Sequence, residues 1–144
     1  MRPVNHLLLS SGIGVGVWLG TGEPVALAIT IGAGVVVDGD HLPDMVWHHY
    51  MHREPTATFV LHGWEWLGGL VLMTVLFGFP WWLIAVIGGY ASHLMSDHLF
   101  NGARPWTYSI IFRSYHRFRY HRIFPGRKLP DPVTAFLEEI HMKR

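Results

Sequence analysis

Trp66 to Ser92 reads WLGGLVLMTVLFGFPWWLIAVIGGYAS, a run with neither charge nor histidine that is interrupted only at Phe77-Gly78-Phe79-Pro80. Glycine tolerates positive φ and proline suits the first residues of a helix, so the interruption is the turn of a helical hairpin. The same pattern occurs earlier. Leu7 to Gly22 and Pro24 to Val37 are also free of charge and histidine, and Thr21-Gly22-Glu23-Pro24 supplies the turn between them. The expected fold is all-α: a polytopic membrane protein with four short transmembrane helices in two hairpins, over residues 4 to 22, 24 to 41, 57 to 78 and 80 to 99. Each approaches the length of about 20 residues that spans a bilayer core only if polar residues at one end are included.

Composition agrees with that reading. Half of the 144 residues are hydrophobic and 15% are charged, which excludes a disordered chain and leaves room for one compact unit. The net charge of +1 is no global signature of a nucleic-acid binder. The absence of cysteine rules out a disulfide scaffold, a thiolate metal site and a cysteine nucleophile, so the 11 histidines become the residues to explain. Arg2 before an apolar run would also suit a secretory signal peptide. Three further apolar segments, and the ridge Gly12, Gly16, Gly20, favour a helix packed in lipid and leave homo-oligomerisation open.

Basic residues set the expected topology. Arg2 precedes the first helix, Arg53 lies between the hairpins, and neither hairpin tip carries Lys or Arg. Both termini and the central loop are therefore expected on the cytoplasmic side of the membrane. Residues 1 to 102 would form the membrane domain and 103 to 144 a surface tail. In that tail Arg104, Arg113, Arg117, Arg119 and Arg122 are interleaved with aromatics, a composition suited to membrane lipid headgroups. No nucleic-acid module accompanies it, so no nucleic-acid partner is expected. Asp131-Pro132 would cap a short terminal helix over 132 to 142.

The chemistry is concentrated at one end of the four helices. Counted inward from the hairpin tips at about 1.5 Å per residue, His6, Asp38, His41, His62, Glu65, His93 and Asp97 all fall about 20 to 26 Å deep. His93 and Asp97 are four apart and His62 and Glu65 three apart, so each pair shares a helix face. In Asp38-Gly39-Asp40-His41 the glycine relieves the backbone where two carboxylates and an imidazole must aim at a common centre. Carboxylates mixed with neutral imidazoles suit Zn²⁺ first, with Mn²⁺ or Fe²⁺ as alternatives, as one ion or as two bridged by a shared aspartate. His48, His49, His52, His116, His121 and His141 lie in loops or the tail without such partners and read as ordinary surface histidines, while His98 is intermediate.

These residues carry a resemblance. Asn5-His6, Asp38-Gly39-Asp40-His41, His62-Gly63-Trp64-Glu65 and Gly89-Tyr90-Ala91-Ser92-His93-Leu94-Met95-Ser96-Asp97 together resemble the bacterial membrane-bound metal-dependent hydrolase family, itself distantly similar to zinc-dependent phospholipase C. The resemblance covers residues 1 to about 102 and implies His6, Asp38, Asp40, His41, His62, His93 and Asp97 as metal ligands. Val37 stands where that family has proline, and Gly63 where it often has serine.

The expected activity is hydrolysis at the cytoplasmic membrane interface. Glu65 or Asp38 would accept the proton of the attacking water. Arg104, Arg113 and Arg117 would hold the phosphate of a phosphate-containing lipid. The rival readings are a nonenzymatic membrane protein that binds a divalent cation, and a structural bundle with a hydrogen-bonded polar layer.

Overall fold

The computed structural model describes residues 3–49, 51, 54–101, 104 and 106–127. Helix α1 (Pro3–Thr21) ends where Gly22, at φ 75°, turns the chain and donates its N–H to the Trp18 carbonyl at 2.7 Å. Helix α2 (Val25–Val36) follows Pro24 and continues through a 3₁₀ turn (Val37–Asp40) into α3 (His41–His49). Helix α4 (Trp64–Phe77) stops at Gly78, also at φ 75°, and α5 (Trp81–Phe100) begins after Pro80. Both glycine turns thus fall where the sequence places them. Short helices α6 (Ile110–Tyr115) and α7 (Tyr120–Ile123) complete the described chain, and the expected helix over 132 to 142 lies outside the described residues.

The all-α expectation holds, with one correction. The third long helix starts at Trp64 rather than 57, because side chains have taken the backbone groups of the preceding segment. Asp44 accepts from Thr56 Oγ1 at 2.9 Å, from the Thr58 N–H at 2.6 Å and from the Thr58 hydroxyl, while Asp40 accepts the Leu61 N–H at 2.5 Å. A backbone whose polar groups are satisfied this way gains nothing by coiling. The membrane spans are shown only in part. Among the described residues one stretch, Val25–Asp44, is long and apolar enough by itself to cross a membrane, and Trp64–Phe77 is a shorter apolar helix. Helices α1 and α5 have the length, but their polar residues, Asn5 and His6 in one and His93, Asp97 and His98 in the other, dilute the apolar run.

Helices α1, α2 and α5 pack against one another, and α4 packs on α5. The glycines that permit this are Gly34 and Gly89. A Cβ on Gly89 would lie 2.1 Å from the Thr30 carbonyl oxygen, and one on Gly34 would lie 2.0 Å from Ser10 Oγ. The ridge Gly12, Gly16, Gly20 makes no such approach, having nothing within 4 Å.

What is buried is unusual in kind. His6, Ser10, Thr30, Ser92, His93, Ser96 and Asp97 are all inside, whereas Leu8, Leu19, Val75, Leu76 and Phe77 are each 60 to 74% exposed. The apolar clusters are small: Val37, Tyr90 and Leu94 in one, and Ala57, Phe59, Tyr108 and Ile123 in the other. The second cluster joins segment 54–63 to residues 106–127, which also meet in an antiparallel bridge between Thr56 and Arg119.

Gly89→Ala is expected to destabilise the protein by about 1 to 3 kcal/mol through overpacking against backbone. Gly16→Ala, which meets nothing, should be neutral or slightly stabilising. Thermal unfolding of the two purified variants, followed by circular dichroism, compares them directly.

Candidate metal centre

Each functional side chain is delivered by a separate element. His6 comes from the first turns of α1, Asp38 from the 3₁₀ turn, His62 from the segment before α4, and His93 and Asp97 from successive turns of α5. Ligand atoms of His6, Asp38, His93 and Asp97 all lie within 4.8 Å of one another, and so do those of Asp38, His41 and His62. Asp38 belongs to both groups. His62 also contacts two members of the first, with Nε2 3.4 Å from Asp97 Oδ2 and 3.0 Å from His93 Nε2.

The outer nitrogens explain the arrangement. His93 Nδ1 donates to the Gly34 carbonyl at 2.7 Å, and His62 Nδ1 donates to Asp40 at 2.9 Å. Ser96 spends its hydroxyl hydrogen on the His93 carbonyl at 2.8 Å, so at 3.1 Å it accepts from His6 Nδ1. With each Nδ1 carrying a hydrogen, the neutral form of each ring presents its Nε2 lone pair to the interior. They meet only acceptors: His6 Nε2 is 3.1 Å from Asp97 Oδ1, and His93 Nε2 is 3.5 Å from Asp38 Oδ1 and 3.6 Å from Asp97 Oδ2. Lone pairs aimed at lone pairs and carboxylates repel unless positive charge sits between them.

The separations suit a metal ion. Ligands about 2.0 to 2.1 Å from a tetrahedral zinc are about 3.3 Å apart. The nearest ligand pairs here are 3.0 to 3.6 Å apart. Burial alone would lower the pKa of His62, but its hydrogen bonds to Asp40 and Asp97 outweigh that and raise it. The site therefore draws positive charge to this ring, and a metal ion and a proton compete for the same nitrogen.

Other expected site residues take different places. Asp40 spends one oxygen on the Leu61 N–H and the other on His62 Nδ1, which makes it the carboxylate that orients a histidine. Glu65 lies away from the cluster. It accepts from Ser109 Oγ at 2.6 Å and from the N–H groups of Ile110 and Ile111 at 3.0 and 3.2 Å, capping α6. Both of its oxygens are occupied by those bonds, which makes it a support of α6 and not a free proton acceptor. Arg113, expected on a phosphate, is 0% exposed. It donates to the carbonyls of Phe59 and His62, the latter at 2.8 Å, and lies over the Phe59 ring. Arg104 and Arg117 remain at the surface, where they line a common depression.

Three participants escaped the sequence reading: Gly34, Ser96 and Tyr90. The Tyr90 hydroxyl bonds the carbonyls of Leu61 and Gly63 and accepts the Gly63 N–H, bracketing His62 on both sides. Only Ser96, three residues after His93 and one before Asp97, carried a positional signal. No family model, no characterised protein and no solved structure matches the chain.

Substitutions should separate ligands from supports. Asp97→Asn is expected to abolish metal retention, Asp40→Asn to weaken metal affinity about 10- to 100-fold as loss of an outer-shell partner does, and Glu65→Gln to leave it unchanged. Inductively coupled plasma mass spectrometry after dialysis against graded chelator reads all three.

Proposed function

We propose that this protein is a membrane-embedded metal-dependent hydrolase with its centre at the cytoplasmic interface. One observation carries the reading: three buried imidazoles, each fixed through Nδ1, turn their Nε2 atoms toward two aspartates. A bound divalent ion, Zn²⁺ by preference, would supply Lewis acidity and lower the pKa of water near it. His6, His62, His93, Asp38 and Asp97 would hold it. Asp38 serves both ligand groups, which supports a second ion with His41.

Asp38 is also the opening of the site. Its side chain is 31% exposed, against 5% for Asp97 and 1% or less for His6, His62 and His93. Water and substrate reach the cluster past this carboxylate, which makes Asp38 the group best placed to accept a proton from attacking water. Burial of all the other members of the first group supports a second reading, a cation held without turnover. The resemblance to membrane-bound metal-dependent hydrolases favours the first.

Membrane placement rests on the inverted burial pattern. A soluble bundle buries its leucines, whereas here polar side chains fill the interior and leucine, valine and phenylalanine face outward. Helices α1, α2 with its 3₁₀ extension, α4 and α5 would cross as two hairpins. Helix α4, 14 residues or about 21 Å long, is short for a hydrocarbon core of about 30 Å, so the membrane would thin or segment 54–63 would lie within the headgroups. The cluster would then sit at the cytoplasmic end, with both termini on that side of a bacterial inner membrane.

Two measurements test these statements. Purified wild type should carry one or two metal ions per chain and hydrolyse a phosphoester or ester substrate, with His93→Ala losing both. Metal retention without turnover across a phospholipid and ester panel would select the cation-binding reading, and no retention after Zn²⁺ or Mn²⁺ resupply would leave a structural bundle. Because the chain contains no cysteine, single cysteines report topology cleanly. Glu23→Cys should react with an impermeant maleimide from outside intact cells, and Arg127→Cys only after permeabilisation.

A further inference from the structure

The turn after α6 forms a second polar feature that the metal chemistry does not use. Arg104, His116, Arg117, His121 and Arg122, with Tyr115 beside them, line an open depression of about 900 Å³. No carboxylate contributes to its lining. Among the described residues Arg104, Arg117 and Arg122 form no ion pair, so three guanidinium groups share one concavity without a counter-charge.

That concentration of charge is built into the fold. Arg117 and Phe118 adopt φ of 53° and 54°, two successive left-handed residues of types that pay about 1 to 2 kcal/mol each for that conformation. The turn is held by Phe118 N–H to the Arg113 carbonyl at 2.8 Å and by Ala57 N–H to the Phe118 carbonyl at 2.8 Å. The apolar neighbours matter equally. Trp106, Ile111 and Tyr115 are each more than two-thirds exposed on the same segment, the pairing of aromatic or aliphatic surface with arginine that suits a headgroup layer.

We infer that this depression binds the phosphate of an anionic phospholipid headgroup. Guanidinium forks pair with phosphate oxygens in charge-assisted, bidentate fashion, and a net-anionic headgroup supplies the missing counter-charge where a zwitterionic one brings its own cation. The exposed Trp106, Ile111 and Tyr115 lie against the acyl boundary, which inorganic phosphate could not exploit. The inference rests on the membrane placement above and is independent of metal and turnover.

Native mass spectrometry of the full-length protein from dodecyl maltoside, titrated with phosphatidylglycerol or with phosphatidylcholine of the same chains, tests it. Wild type is expected to retain one phosphatidylglycerol at least tenfold more tightly than phosphatidylcholine. Each arginine near an anionic headgroup is worth about a fivefold change, so R104Q/R117Q/R122Q should erase the preference while leaving metal content intact. If the triple variant does not fold, R122E, on an exposed side chain, must still lower phosphatidylglycerol retention at least fivefold. Equal retention by wild type and variant overturns the site. So does competition by inorganic phosphate at the concentrations of the lipid, or tighter retention of a single-stranded RNA oligonucleotide. Carbonate extraction of native membranes tests the placement separately: release of the chain would remove the membrane reading, and this inference with it, whatever the lipid titration shows.

Discussion

The Gly34 carbonyl can reach His93 Nδ1 at 2.7 Å only because α2 and α5 touch backbone to backbone where Gly34 and Gly89 lack side chains. That contact fixes the His93 ring, and the ring fixes the rest of the centre. His93 Nε2 is the atom about which His62 Nε2, Asp38 Oδ1 and Asp97 Oδ2 gather, and the His6 ring stacks on His93 with centroids 4.0 Å apart. A methyl group at Gly89 would separate the helices and withdraw the acceptor together, whereas one at Gly34 would strike Ser10 of α1 first. The close approach usually assigned to helix packing alone is here a condition of the site's electronics.

His62 is held by a different principle. It sits in no regular element, and its segment is held largely by side chains reaching for backbone: Asp40 on the Leu61 N–H, Tyr90 on the Leu61 and Gly63 carbonyls, Arg113 on the Phe59 and His62 carbonyls. Arg113 reaches it from α6, whose N-terminus Glu65 caps from α4. Glu65 and Arg113 thus act on the centre through structure, one by seating the helix that carries the other. A buried guanidinium is costly unless its donors are taken, and here carbonyls of the very segment it organises take them.

Much of the centre was legible in the sequence because helical periodicity transmits position. His93 and Asp97 lie one turn apart, and glycine-proline turns define where each hairpin reverses, so depth could be counted. The count failed at residues 57 to 63, where the decisive forces are long-range: Asp44 and Arg113 lie 14 and 54 residues from the backbone groups they satisfy. For the same reason Glu65 and Arg113 could be recognised as polar residues near the site but not as supports. The ridge Gly12, Gly16, Gly20 had the spacing of a packing face, yet the close contacts are made by Gly34 and Gly89, since spacing identifies a stripe and not its partner. Asp40 illustrates the finer limit. Ligand and outer-shell carboxylates are one residue type, and only the Leu61 N–H and His62 Nδ1 that claim its oxygens distinguish them.

The centre is also a joint. Its members come from α1, the 3₁₀ turn, segment 54–63 and α5. Without added positive charge, facing lone pairs and two aspartates repel across the interior that these elements must close. A cation between them would turn the same atoms into a link between these elements, and ion binding would then share its free energy with assembly. Outside the cluster the polar interior is matched donor to acceptor except at His98 Nδ1 and Thr107 Oγ1, and the mismatch left at its centre is of the kind a divalent ion resolves.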